Sequence, residues 1–258
     1  MRMDVEGIGF SYASEPTLTD VGMTVSEGDV VSILGPNGVG KTTFLKCLNR
    51  ILHPNSGSVT LDGADLHRMR SRDIAKEVGY VSQRGDVSRI TVFESVLLGR
   101  KPRIAVDASP EDLMLTGRVI ELMGLGPLSS RYTDQLSGGQ YQLVQIARAF
   151  VQQTKVVLFD EPTSNLDPNN QYQVMGMIRN LVKANGMAAV MVVHDLNLAV
   201  RFSDKFVMMR DGKVFAAGGR EIITPENIRA VYGLDAYVED VHGITVIVPT
   251  GNDYHVIL

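Results

Sequence analysis

The residues with the clearest capacity for chemistry lie between positions 35 and 43. The run Gly35-x-x-x-x-Gly40-Lys41-Thr42 has the spacing of a phosphate-binding loop and stands where such a loop belongs, after a strand and before a helix. Its glycines let backbone N–H groups point into one concavity, Lys41 can reach terminal phosphates, and the Thr42 hydroxyl can hold Mg²⁺. A chance glycine turn would not require the lysine, the threonine and the strand together. The predicted phosphate contacts are Gly35, Pro36, Asn37, Gly38, Val39, Gly40, Lys41, Thr42 and Thr43.

Two adjacent carboxylates follow a second apolar run, Val156-Val157-Leu158-Phe159. Phosphoryl transfer needs a carboxylate near the metal, and ligands of open parallel sheets bind at the carboxyl ends of strands. We therefore expect Asp160 to bind Mg²⁺ through water and Glu161 to polarise an attacking water. A solvated acidic pair that merely ends a strand is the alternative interpretation.

His194 ends a third apolar run, Val190-Met191-Val192-Val193. Taken alone it would be an ordinary packed or exposed histidine. Its position predicts that it lies on the same edge of the sheet as Asp160 and Glu161, which favours a role at the γ-phosphate.

A second candidate anion site lies at Leu136-Ser137-Gly138-Gly139-Gln140. A serine followed by two glycines at the start of a helix offers backbone N–H groups and the helix dipole to an anion. The same residues could simply be a serine N-cap with glycines for a turn, and the dipole argument does not exclude this. One nucleotide does not need two such cradles in one chain.

Three buried-type strands must position these groups, and runs that are apolar on both faces are typical of central parallel strands. The pattern predicts an α/β fold in which helices pack on a mainly parallel sheet. Residues 1 to 28 favour extended segments, residues 86 to 150 favour helices and indicate an inserted helical lobe, and the tail alternates around His242-Gly243 like a hairpin. We therefore divide the chain into a domain at 1–225 and an extension at 226–258.

The composition excludes several classes of protein. The 258 residues carry a net charge of -4, and the 25 lysines and arginines form no run or stripe, which disfavours nucleic acid as a partner. Nowhere do about 18 uncharged apolar residues run together, and the first residues are charged, so we expect neither a membrane span nor secretion. The single cysteine, Cys47, can form no internal disulfide and is predicted to be a core residue.

Together these motifs resemble the nucleotide-binding subunits of ATP-binding-cassette (ABC) transporters over residues 1 to 225. Leu136 to Gln140 matches that family's signature as written, and the order of the motifs is the family's order. The resemblance implies an ABC-type P-loop fold with an antiparallel N-terminal β lobe, ATP hydrolysis with ATP and Mg²⁺ as cofactors, and a head-to-tail dimer. Each of two ATP molecules would then lie between residues 35–42 of one chain and Ser137, Gly138, Gly139 and Gln140 of the other.

The resemblance also implies roles for two residues that the chemistry alone would not select. Gln83, which follows the apolar run Val78-Gly79-Tyr80-Val81, would contact Mg²⁺ and the attacking water and couple to the membrane subunit. Tyr12 would stack on adenine, and its alternative role is that of a half-buried strand tyrosine.

Within the family, the segment Thr91 to Arg100 and the tail around Pro249 are similar to subunits that drive uptake of metal chelates such as iron-siderophore, haem or cobalamin. Importers of other cargoes such as molybdate, and soluble switch ATPases built on the same cassette, remain alternatives. The expected partners are transmembrane permease subunits and, indirectly, a substrate-binding protein. The chain would lie at the cytoplasmic face of the membrane, held there by the permease.

Overall fold

A six-stranded, mainly parallel sheet forms the centre of the computed structural model, which describes residues 1–13, 15–83, 88–164 and 166–250. Its strand order is β10-β9-β3-β8-β7-β6, and only β10 runs antiparallel to its neighbour. The strands of the described residues are β1 Arg2–Tyr12, β2 Glu15–Ser26, β3 Val30–Leu34, β4 Ser56–Leu61, β5 Ala64–Asp65, β6 Val78–Val81, β7 Val156–Asp160, β8 Ala188–Val192, β9 Lys205–Arg210, β10 Lys213–Gly218, β11 Ala236–Val241 and β12 Ile244–Pro249.

The central strands are apolar on both faces because each face packs against a separate core. In β7, Val157 and Phe159 belong to a core shared with the helices, whereas Val156 and Leu158 belong to a core shared with the β lobe. Strands β3, β7 and β8 are buried along their whole length. The predicted α/β class with a mainly parallel sheet is confirmed, and the continuous apolar runs follow from burial on two sides.

An antiparallel sheet in the order β2-β1-β4-β5 forms the N-terminal β lobe, as predicted. It packs on one face of the central sheet, and the apolar side chains of the first helix, among them Phe44 and Leu45, fill the space between the two sheets. Cys47 lies in this core with no exposed surface, and burial raises the pKa of its thiol to about 12. The cysteine therefore has the structural position that the sequence predicted.

Local backbone conformation and capping determine where the helices begin and end. The first helix stops at Leu48, because Arg50 adopts a left-handed backbone with φ 59° that a helix cannot contain. The helix after Ser137 begins at Gly138, since a Ser137–Gln140 capping box offsets the low helix propensity of the glycines. The helices are α1 Lys41–Leu48, α2 Ser71–Glu77, α3 Val92–Leu97, α4 Pro110–Leu122, α5 Gly138–Val151, α6 Pro168–Ala184, α7 Leu196–Phe202 and α8 Pro225–Tyr232.

The stretch predicted as a helical lobe contains α3, α4 and α5, and no strand occurs among its described residues, 88–150. Residues 86 and 87 of that stretch lie outside the described part of the chain. Three capping boxes, at Thr91, Ser109 and Ser137, begin the three helices. Each box satisfies N–H groups that a helix start would otherwise leave without a partner.

A buried ion pair joins three segments of this region. The Arg100 guanidinium donates from Nε to Asp112 Oδ1 at 2.7 Å, and from Nη1 to the Val151 carbonyl at 3.1 Å and Gln153 Oε1 at 2.8 Å. Asp112 Oδ2 also accepts from the backbone N and the hydroxyl of Ser109. The two charged side chains keep 10% and 11% of their surface exposed, so water contributes little to their stabilisation.

Helix α8 and the hairpin of β11 and β12 follow the core sheet. The inner face of the hairpin, including Ala236 and Ile247, packs into the core formed by the helices. The Asn197 side chain on α7 accepts from the Ile247 N–H at 2.8 Å and donates to the Ile247 carbonyl at 3.1 Å. The division of the chain after residue 225 stays a prediction, and residues 251–258 of the extension lie outside the described part.

None of the helices in the described ranges combines the length and the apolar character needed to cross a bilayer.

Candidate nucleotide-binding and catalytic site

The phosphate-binding loop lies between the end of β3 and the start of α1. Gly38 and Gly40 have φ values of 81° and 103°, which residues with a Cβ rarely adopt. A Cβ on Gly40 would also lie 2.7 Å from Leu18 Cδ2 and 3.0 Å from the Thr17 carbonyl. Glycine is therefore required at position 40 both by its backbone conformation and by the β lobe packed behind it.

Lys41 lies inside this loop with only 6% of its surface exposed. Its ammonium group donates to the carbonyls of Gly35 at 2.7 Å and Pro36 at 2.9 Å. Burial lowers the pKa of Lys41, and the carboxylates of Glu161 and Asp160 oppose that change. The loop thus holds a cation in place that an anionic phosphate oxygen can bind.

Asp160 is the last residue of β7, and each of its carboxylate oxygens accepts a hydrogen bond from a hydroxyl. Thr42 Oγ1 donates to Oδ1 at 2.8 Å, and the Tyr80 hydroxyl donates to Oδ2 at 3.1 Å. Burial, followed by the nearby Asp160 charge, raises the pKa of Tyr80, which keeps its hydroxyl protonated and able to donate at neutral pH. Only 4% of Asp160 is exposed.

This pair of a hydroxyl and a carboxylate fits Mg²⁺. The ion usually binds one or two protein oxygens together with substrate phosphates and water, and does not need a cage made only of protein ligands. Thr42 Oγ1 and Asp160 Oδ1 place two such oxygens 2.8 Å apart beside the phosphate loop. In the described ranges no group of three or more His, Cys, Asp or Glu side chains could hold a metal ion.

Glu161 follows Asp160 and has a left-handed backbone with φ 54°. Such a conformation costs a residue other than glycine about 1–3 kcal/mol and occurs often at functional sites. It turns the Glu161 carboxylate toward two other residues at the carboxyl edge of the sheet. Gln83 Nε2 donates to Oε2 at 2.5 Å, and His194 Nε2 lies 2.5 Å from Oε1.

The three residues Gln83, Glu161 and His194 line a pocket of about 450 Å³. Asn37 of the phosphate loop lies on its wall, so the pocket adjoins that loop. The structure therefore brings together Gln83, Glu161 and His194, which the sequence placed on three separate segments. Water held in this pocket would be within reach of a carboxylate, an amide and an imidazole.

The signature segment at 137–140 is not among the described residues that line this pocket. The Ser137 hydroxyl accepts from the Gln140 N–H at 3.3 Å, and Gln140 Oε1 accepts from the Ser137 N–H at 3.1 Å. Ser137 and Gly138 are exposed, and a Cβ added to Gly138 would meet no atom within 4 Å. The N-terminus of α5 is thus open to a ligand or a second chain.

Tyr12 ends β1 with 53% of its surface exposed. Its ring contacts the ring of Phe10 edge to face, with the centroids 4.8 Å apart and the ring planes at 81°. The exposed ring surface is compatible with stacking on a base. A half-buried strand tyrosine without that role would have the same exposure.

Sequence reasoning missed Tyr80, although a signal was present. Tyrosine is the one residue with a polar end in the apolar run Val78-Gly79-Tyr80-Val81, and the hydroxyl of a buried tyrosine usually has a hydrogen-bonding partner. The partner could not be named because the pairing of β6 with β7 is not encoded in either strand alone.

Comparison with known proteins agrees with this geometry. The family model described as "ABC transporter" matches residues 18–164. The chain belongs to the ABC transporter family. It is an ATP-binding subunit of an ABC transporter, of the class that hydrolyses ATP.

Individual relatives in the family extend over nearly the whole chain. An uncharacterized ABC transporter ATP-binding protein of Methanocaldococcus jannaschii is 50% identical over 97% of this chain and 99% of its own length. The iron(3+)-hydroxamate import ATP-binding protein FhuC of Bacillus subtilis is 34% identical over 92% of this chain and 89% of its own.

A solved structure of a similar ATP-binding cassette represents a post-hydrolysis state. It is a dimeric ATP-binding cassette with bound ADP and phosphate, and its TM-score to this chain is 0.75 at 27% identity. The alignment covers 84% of this chain and 98% of the other.

Proposed function

We propose that this chain binds MgATP at residues 35–43 and hydrolyses it with Glu161 as the group that polarises the attacking water. The observation that carries the proposal is the position of Glu161, directly after the buried Asp160 and between Gln83 and His194. A carboxylate in hydrogen-bond reach of a water pocket can accept a proton as the oxygen–phosphorus bond forms.

The other residues would divide the work of phosphoryl transfer among them. Mg²⁺, held by Thr42 and Asp160, would offset charge on the phosphate oxygens. Lys41 would exchange its bonds to the Gly35 and Pro36 carbonyls for phosphate oxygens. His194 would donate to the γ-phosphate, Gln83 would contact the metal and the water, and Tyr12 would stack on adenine.

The exposed signature segment supports a composite site between two chains. Ser137, Gly138, Gly139 and Gln140 begin a 14-residue helix whose N-terminus is open, and this is suited to bind the phosphates of a nucleotide held by a partner. The dimeric relative with ADP and phosphate shows that such cassettes pair. Two copies of this chain, or this chain and a similar one, would enclose two ATP molecules.

A groove between the core and the helical region is the proposed contact with the permease. It has a volume of about 1570 Å³ and is lined by apolar residues such as Ile74, Ile90 and Leu98 together with charged ones such as Glu94. Ser82, which precedes Gln83, also lies on its wall, so a permease segment there would be one residue from the catalytic pocket. The chain would then sit at the cytoplasmic face of the membrane, held there by the permease.

The proposed cargo is a metal chelate, taken up into the cell. The relative that imports iron(3+)-hydroxamate supports this class, as does the resemblance of residues 91–100 and of the tail.

The test is ATPase activity of purified protein at increasing concentration, for wild type, Glu161→Gln and the matched control Glu239→Gln on the exposed side of the hairpin. Loss of the base is expected to lower turnover by about 10²- to 10⁴-fold, while ATP binding and the control remain unchanged. An undiminished rate for Glu161→Gln would show that Glu161 is not the base.

A mixing experiment tests the composite site separately. Ser137→Arg blocks the signature, and neither this variant nor Glu161→Gln should turn over ATP alone. An equimolar mixture of the two variants should recover about a quarter of the wild-type rate. Half of the dimers then contain one chain of each variant, and each such dimer has one intact site of two. A mixture as inactive as its parts would exclude the dimer and leave the assignment of Glu161 untouched.

A further inference from the structure

We propose that Tyr80 is a positioning residue that fixes the carboxylate of Asp160 in the orientation that receives Mg²⁺. The proposal rests on the proposed function, in which Asp160 and Thr42 hold the metal. It assigns a role to a strand residue that lies outside the phosphate loop, the signature and the catalytic pocket.

The register of the sheet places Tyr80 where its hydroxyl can reach Asp160. In the parallel pair β6 and β7, Tyr80 lies opposite Leu158, two residues before Asp160. Side chains two residues apart on a strand lie on the same face, so the long tyrosine side chain extends toward the carboxyl edge. Its hydroxyl ends 3.1 Å from Asp160 Oδ2.

Two hydroxyls on opposite oxygens fix the rotation of the carboxylate. The terminal torsion of an aspartate has broad, two-fold minima, so one hydrogen bond alone leaves the plane of the group free to turn. Thr42 holds Oδ1 from the phosphate loop and Tyr80 holds Oδ2 from β6. The carboxylate is thereby clamped between two elements that are not adjacent in sequence.

Without the Tyr80 hydroxyl, Asp160 Oδ2 would find only poor replacement partners. Asp160 is only 4% exposed, so an oxygen that lost its tyrosine partner would have little access to water. It would turn toward another donor, and the Lys41 ammonium is close enough to interact electrostatically with the Asp160 carboxylate. A carboxylate turned away from Thr42 presents the wrong oxygen to the metal.

The proposal predicts an effect on metal binding that is separate from nucleotide binding. Tyr80→Phe keeps the ring and removes only the hydroxyl. A fluorescent ADP analogue is titrated with Mg²⁺ and again with EDTA, so that no hydrolysis occurs during the measurement. In wild type, Mg²⁺ should strengthen binding, and in Tyr80→Phe that gain should fall about fivefold to tenfold, while the affinity in EDTA stays within about twofold of wild type.

Two further variants make the result specific. Thr42→Val removes a proposed metal ligand and should abolish the Mg²⁺ gain. Tyr237→Phe removes the hydroxyl of a tyrosine that is 62% exposed on the hairpin, and it should match wild type in both titrations.

Each outcome decides the question. An unchanged Mg²⁺ gain in Tyr80→Phe would overturn the proposal, as would an equal loss of affinity with Mg²⁺ and with EDTA, because that pattern marks a general structural role. A wild-type protein that binds the analogue equally well in both conditions would instead refute the metal assignment of Thr42 and Asp160.

Discussion

Replacement of Asp112 by alanine tests whether the buried ion pair with Arg100 holds the helical region together. The change leaves the Arg100 guanidinium with its bonds to the Val151 carbonyl and Gln153 Oε1 but without a counter-charge, in a position where 10% of its side chain is exposed. It also removes the N3 residue of the Ser109 capping box.

The expected cost follows from these contacts. Breaking a buried pair by removing one partner costs about 3–5 kcal/mol, and the two bonds that Arg100 keeps favour the low end of that range. A loss of about 3 kcal/mol is a large part of the 5–15 kcal/mol that stabilises a typical domain. With a urea m-value of about 3 kcal/mol/M, the unfolding midpoint should fall by about 1 M.

The assay is urea unfolding followed by circular dichroism, with Asp73→Ala as the matched control. Asp73 is also the N3 residue of its helix and also accepts from an arginine, Arg70, at 2.8 Å. Because 88% of the Arg70 side chain is exposed, that pair is screened by water and its loss should barely move the midpoint. Equal midpoints for the two alanine variants would refute the reasoning.

The same pair predicts a pH dependence. The Arg100 hydrogen bond, with the contacts to Ser109, holds the pKa of Asp112 below its usual range. The stabilisation is therefore complete above the unfolded pKa of about 4 and is lost as the pH falls through the lower folded value. The stability difference between wild type and Asp112→Ala should shrink in that acid range and stay constant above it.

Two further outcomes are expected. The Cys47 thiol, fully buried and with its pKa raised to about 12, should resist a thiol reagent at pH 8 until denaturant is added, and rapid labelling of native protein, measured by absorbance, would contradict its burial. Asn197→Leu removes both side-chain hydrogen bonds to Ile247, so amide exchange at Ile247 should become about tenfold faster while the urea midpoint of the core stays the same. Amide exchange is measured by mass spectrometry. An unchanged exchange rate would show that the hairpin is held by its apolar contacts alone.

The parts of the molecule that sequence reasoning predicted well are those specified by local patterns. The glycine spacing of residues 35–42 determines a loop with φ values that only glycine tolerates, and the apolar runs at β3 and β7 report burial on two faces. Both features can be read within about ten residues of chain, because turn chemistry and side-chain periodicity are short-range properties.

The features that the sequence did not predict depend on contacts between segments that are distant in the chain. Gln83 reaches Glu161 only because β6 pairs with β7, and the sheet order that places them side by side is set by the packing of the whole chain. Gln83 was predicted as a site residue from the family resemblance, and the chemistry of the segment around it would not have indicated this role. Neither the resemblance nor the sequence pattern predicted a role for Tyr80. Its hydrogen bond to Asp160 follows from the register of the two strands.

The left-handed backbone of Glu161 bears on how this protein could evolve. Glycine adopts φ 54° without strain, so glycine at this position would relax a conformation that costs about 1–3 kcal/mol. A library selected only for survival of heating would be drawn toward that replacement, whereas the role proposed for Glu161 predicts that a library selected for ATP turnover would discard it. Thermal stability and the proposed catalytic role thus make opposite demands on the residue at position 161.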